Sequence, residues 1–174
     1  MYKKSRLIIF TIIVILSFTI PYITNDYTKS VYNYGLIKYT DTFYIFFINS
    51  FTVFSFLAIS FFGLSIPFIL KMLYAIGNAS TNSGLNPLIY FPLSLIHGIF
   101  EIASLFIIFT VSIEIFRTYY YKLFLNKKKS ITKLTKRIIK IEIPVIVFLL
   151  AIGAVFEVFI TNRLAVFIGE NGLF

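Results

Sequence analysis

His97 and Glu101 are the residues of this chain best placed to do chemistry. They stand four apart, so a helix sets an imidazole and a carboxylate on one face. Both lie in the apolar stretch Pro87 to Phe116, where Glu114 is the other charged position. Ser94, Gly98, Ser104 and Ile108 extend the same face, and the Ser94–Gly98 spacing suits close approach of a second helix. Glu157 and Asn49 sit inside two further apolar runs. A charged acid at the centre of a bilayer costs about 2.5–3.5 kcal/mol even on gentle insertion scales. Glu101 must therefore face a bundle interior, be paired, or be protonated. One chemistry that fits is a proton or ion relay, with His97, Glu101 and Glu157 exchanging charge across two helices. Another is a polar pocket for a peptide or lipid group. The alternative to both is an interhelical hydrogen-bond cluster that fixes packing, at about 0.6 kcal/mol per bond. A metal site is not expected, because one His and scattered carboxylates supply few ordered ligands. There is no Gly-rich phosphate loop, nucleophile elbow or protease motif. Neither catalysis nor a cofactor is expected.

Composition says where these residues sit. Of 174 residues, 59% are hydrophobic and only 13% charged. A soluble domain uses about 25% charged residues to cover its surface. Mean hydropathy is +0.90. These values exclude a soluble globular domain and a disordered chain, and they predict an all-α integral membrane protein. One span takes about 20 residues, so the length allows four or five. There is no Cys, which removes disulfides and thiolate metal sites. Sixteen basic against seven acidic residues give a net charge of +9. In so apolar a chain this excess belongs to cytoplasmic loops and anionic lipid rather than nucleic acid.

The elements follow from the apolar runs. Lys3, Lys4 and Arg6 precede a run from Leu7 to Ile20 that lacks a small-residue cleavage site, so residues 1–24 read as an uncleaved anchor. Asn25 to Asp41 reads as an outside loop. Thr42 to Gly77 is 36 residues long, about 54 Å as one helix, and Gly63 and Pro67 near its middle mark a reversal. A polar patch, Asn78 to Asn86, leads to Pro87–Phe116. Arg117 to Lys140 then carries nine positive charges and no acid. The last span runs from Ile143 to Thr161, with Pro144 in its first turn, and a short tail, 162–174, follows. Positive charge at the N-terminus and in loop 117–140 places both in the cytoplasm, which requires an even number of crossings between them. A doubled passage through Thr42–Gly77 satisfies this and gives about five transmembrane helices; four is the alternative. In the loop, Ile131, Leu134, Ile138 and Ile141 recur at helical spacing, as in a short helix lying on the inner leaflet. Lys127, Lys128, Lys129, Lys133, Lys136, Arg137 and Lys140 would meet anionic headgroups, each contributing about 1 kcal/mol. Glu114 and Arg117, three apart, suit a local ion pair.

The ordered series Asn49, Gly63, Gly77-Asn78, Leu95-Ile96-His97-Gly98-Ile99-Phe100-Glu101 and Val155 to Thr161 resembles the stage II sporulation protein M family. That family has an Asn early in its second span, glycines after it, an Asn-Gly turn, an H-G-x-x-E element and a late E-x-x-x-T ending. The matching positions are Asn49, Gly63, Asn78, His97, Gly98, Glu101 and Glu157, within a family-like region of 42–161. The turn departs from the pattern, reading Gly77-Asn78-Ala79. The resemblance implies a multi-pass protein of the plasma membrane that acts as an accessory or scaffold beside other membrane proteins. Members in spore formers work with cell-wall hydrolases during engulfment. Shorter ones accompany circular bacteriocins, which implies maturation, export or immunity for a small hydrophobic peptide. A proton-coupled permease using His97, Glu101 and Glu157 is the competing expectation.

Overall fold

A computed structural model describes residues 2–24, 35–82, 87–124 and 131–170. Lys127, Lys128 and Lys129 of the expected headgroup loop lie outside these residues, as do 25–34 and 83–86 of the polar connections. Among the described residues every regular element is helical: α1 (Tyr2–Thr24), α2 (Asp41–Ser60), α3 (Ser65–Asn82), α4 (Pro87–Leu123) and a continuous rod, α5 (Ile131–Glu170).

The reversal expected near Gly63 occurs there. Gly63 has φ +74°, and Leu64 N–H donates to Ile59 O at 3.3 Å while Gly63 N–H donates to Ser60 O at 3.1 Å. This pair of bonds is a Schellman closure, whose left-handed position favours glycine. Pro67 is the third residue of α3, where a helix has no use for a backbone donor. The long apolar run thus becomes two antiparallel helices. All rods but α3 are long and apolar enough to cross a membrane. The 18 residues of α3 span about 27 Å, close to the thickness of a hydrocarbon core. Lys71 and the polar ending from Asn78 lower its hydropathy. Gly77 and Asn78, expected in a turn, lie inside α3 instead, because the helix continues to Asn82.

Contacts at the two ends fix the directions of the rods. At one end Arg6 of α1, Glu114 of α4 and Arg137 of α5 meet. At the other, Ile37 N–H donates to Asn162 Oδ1 at 2.9 Å, and the Asn162 amide donates to Gly35 O at 3.2 Å. Ser60, Ser65 and Ser112 join the α2–α3 turn to α4 through two 2.7 Å bonds, toward the Arg6 end. The five rods therefore alternate in direction, and the N-terminus shares an end with the start of α5. The core between them holds Val53, Ile69, Leu73, Leu105, Ile108, Ile146 and Leu150, all fully buried. Phe43, Phe47 and Phe51 form an exposed stripe on α2, as a lipid-facing surface requires. Exposed Thr19, Thr52 and Ser55 turn their hydroxyls back to carbonyls four residues earlier, at 2.8–3.0 Å. Polar groups facing hydrocarbon are satisfied in this way.

The last rod departs from expectation. The basic stretch is not a separate helix lying on the leaflet, because Ile131–Arg137 runs without a break into the span. A π-helical turn, Ile138–Glu142, links them, with Ile143 N–H bonded to Ile138 O. One extra residue in that turn rotates the register, so Ile138 is buried while Ile141 is exposed. The turn also lets Pro144, which lacks a donor, sit within a continuous helix. A second π turn, Glu157–Thr161, interrupts the far half, and the helix continues through the expected tail to Glu170.

Candidate functional site

Three rods bring the intramembrane polar residues together. Asn49 of α2 donates from Nδ2 to Glu101 Oε1 of α4 at 2.5 Å. His97, one turn earlier on α4, has Nδ1 at 3.1 Å from Thr161 Oγ1 of α5. Glu157 is one turn before Thr161 on the same rod. Ligand-type atoms of His97, Glu101 and Glu157 all lie within 4.8 Å of one another. Glu157 makes no hydrogen bond or ion pair among the described residues.

The second π turn opens at Glu157 and closes at Thr161, with Asn162 N–H bonded to Glu157 O. Such turns re-aim side chains and recur at functional sites. α5 packs against α4 at Gly153 with room for no more than a methyl group in ordinary contact. A Cβ there would stand 3.5 Å from Phe100 Cβ, 3.6 Å from His97 O and 3.9 Å from Glu101 Cγ. Gly98, expected to admit a neighbouring helix, does not do so: nothing lies within 4 Å of a Cβ built on it. It opens instead into a cavity of about 310 Å³. Apolar side chains such as Phe18, Ile76, Phe91 and Leu93 form most of the wall, and His97, Glu101 and Glu157 form its polar part. Among the described residues no Lys or Arg lines it.

A second polar assembly closes the basic end. Arg6 Nη1 donates to Glu114 Oε1 at 2.8 Å, Arg137 Nη2 donates to Glu114 Oε2, and Arg137 also meets Glu142 at 3.3 Å. Glu114 does not form the expected pair with Arg117. That guanidinium bonds Tyr121 Oη at 3.2 Å and lies over its ring. Arg137, expected to face headgroups, is half-buried in this network, because the continuous α5 rod carries it onto α4. Lys133, Lys136 and Lys140 are exposed.

The sequence profile of the family described as stage II sporulation protein M matches residues 6–162. The chain belongs to that family. The match takes in α1, which the sequence reading sets apart as an anchor, as well as all of 42–161. No curated relative and no solved structure matches the sequence. Within the family pattern, Asn49, His97, Gly98, Glu101 and Glu157 converge on one place, the wall of the cavity and its polar neighbour on α2. Gly63 makes the α2–α3 reversal, and Asn78 lies in α3. Sequence reasoning passed over Arg6 and Glu142. Arg6 reaches Glu114 across 108 residues, which leaves no local trace, whereas Glu142 meets Arg137 only five residues away.

Proposed function

We propose that this member of the family is a non-enzymatic accessory protein of the plasma membrane that assists maturation, export of, or immunity to a small hydrophobic peptide. The observation that carries the reading is the cavity of about 310 Å³, apolar over most of its wall and polar on one side. A pocket near 300 Å³ lies at the small end for ligand sites and suits a few apolar side chains with one polar group. The groups needed for nucleophilic or acid–base catalysis on a bound substrate are not gathered there as a nucleophile, base and orienting group.

Filling the cavity tests this. Gly98 lines the cavity and a Cβ on it meets nothing within 4 Å, so Gly98→Phe adds its ring on the cavity side. In cells made to produce a short hydrophobic bacteriocin against which wild type confers resistance or secretion, the variant should lose that effect. Its thermal unfolding midpoint should stay within a few degrees of wild type. Full activity of a well-folded Gly98→Phe variant would remove the cavity from the function.

Orientation belongs to the same proposal. Nine basic residues between Arg117 and Lys140 favour a cytoplasmic placement of that segment and of the N-terminus. Cysteines at Lys128 and Asn33 should label from opposite sides of intact cells. Labelling of the Lys128 cysteine by an impermeant reagent added outside would contradict it.

A further inference from the structure

We propose that His97, Glu101 and Glu157 form an intramembrane binding site for a divalent transition-metal ion, which ties α4 to α5. The proposal goes beyond peptide handling and does not depend on it. Three observations carry it. The first is the ligand set: one imidazole and two carboxylates, from two rods, with ligand atoms within 4.8 Å of one another. Ligands about 2.1 Å from a tetrahedral ion stand about 3.4 Å apart, so rotation of the carboxylates alone closes the gap. A mixed nitrogen and oxygen set suits Zn²⁺, Mn²⁺ or Fe²⁺ better than Mg²⁺ or Ca²⁺, which take oxygen throughout.

The second observation is charge. Two carboxylates stand together in an apolar wall that no Lys or Arg lines among the described residues. A divalent cation makes the cluster neutral, which is what a hydrocarbon surrounding favours. The local hydrogen bonds do not supply that charge: Asn49 offers Glu101 a neutral amide, and Glu157 has no partner among the described residues.

The third is the outer layer. Thr161 stands 3.1 Å from His97 Nδ1, and Asn49 donates to Glu101. Ligating His and carboxylate groups are commonly oriented by such partners, and with Nδ1 donating to Thr161 the Nε2 lone pair is left for an ion. The π turn that starts at Glu157 and ends at Thr161 presents both a ligand and an orienting hydroxyl.

The test uses the full chain, purified in detergent without a histidine tag, stripped with chelator and dialysed against Zn²⁺ or Mn²⁺. Wild type should retain one Zn²⁺ per chain by elemental mass spectrometry. Glu157→Gln and His97→Asn should each weaken binding at least tenfold, following the size of effects seen even for orienting groups. Electron spin-echo spectra of bound Mn²⁺ should show nitrogen coupling. The chain has a single His, so coupling of the imidazole type can come only from His97. If His97→Asn does not fold, Glu157→Gln still decides, since it loses no hydrogen bond within the described residues. Zn²⁺ held equally by wild type and by folded Glu157→Gln, or Mn²⁺ bound without nitrogen coupling, overturns the proposal.

Discussion

Glu114→Ala should lower the stability of the purified protein by about 2–3 kcal/mol, somewhat less than the full effect of breaking a buried ion pair. Glu114 holds two guanidinium groups at once, Arg6 from α1 and Arg137 from α5. The Arg6 side chain is only 13% exposed and that of Glu114 only 23%, so Arg6 is left poorly hydrated when the carboxylate is removed, while Arg137, at 40%, keeps more of its water. The loss then comes mainly from stranded positive charge rather than from missing attraction. A double change, Glu114→Ala with Arg6→Ala, should consequently cost less than the sum of the single changes. Glu114→Gln should fall between wild type and Glu114→Ala, because an amide oxygen still accepts one hydrogen bond. Thermal or denaturant unfolding in detergent measures all of these. A loss below about 0.5 kcal/mol for Glu114→Ala, the range of an ordinary surface pair, would mean that the network does not hold the basic end together.

The membrane class, the reversal at Gly63 and the shared face of His97 and Glu101 were legible because each depends on near neighbours in sequence. Apolar runs, a glycine with a proline after it, and a spacing of four residues are local signals. The join between α4 and α5 was not legible. A π turn changes which face each later residue takes, and nothing in the composition of Ile138–Glu142 or Glu157–Thr161 announces one. This is why Ile141 was expected beside Ile138, and why the carboxylates appeared scattered when Glu157 in fact stands beside Glu101. The Glu114 pairing failed for a related reason. Arg117 is the nearest cation along the helix, but Arg6 and Arg137 can reach Glu114 from other rods and enclose it, whereas Arg117 finds Tyr121 one turn onward.

Glycine positions show the same contrast and give the second large effect. Gly77→Ala should destabilise the protein by about 3 kcal/mol, the upper part of the usual range for overpacking. A Cβ on Gly77 would overlap the carbonyl oxygen of Ser17 and stand 2.9 Å from Phe18 Cα and 3.0 Å from Ser17 C. All of these are backbone atoms of α1, so no side chain can rotate aside and one helix must move. The α1–α3 contact is among the most extensive between any two helices, and a shift there disturbs Phe10, Ile69 and Leu73 in the core. Two other glycines calibrate the result. Gly98→Ala meets nothing within 4 Å, and Gly153→Ala meets atoms no closer than 3.5 Å, an ordinary van der Waals distance. Both should stay within about 1 kcal/mol of wild type, the difference expected from helix propensity alone. The sequence reading takes Gly77 for a turn residue, in which case Ala would be tolerated or would disturb only a loop. A steep loss at Gly77 with near silence at Gly98 and Gly153 therefore distinguishes close helix packing from a turn. Equal unfolding midpoints for all three alanine variants would mean that α1 and α3 do not approach at Ser17.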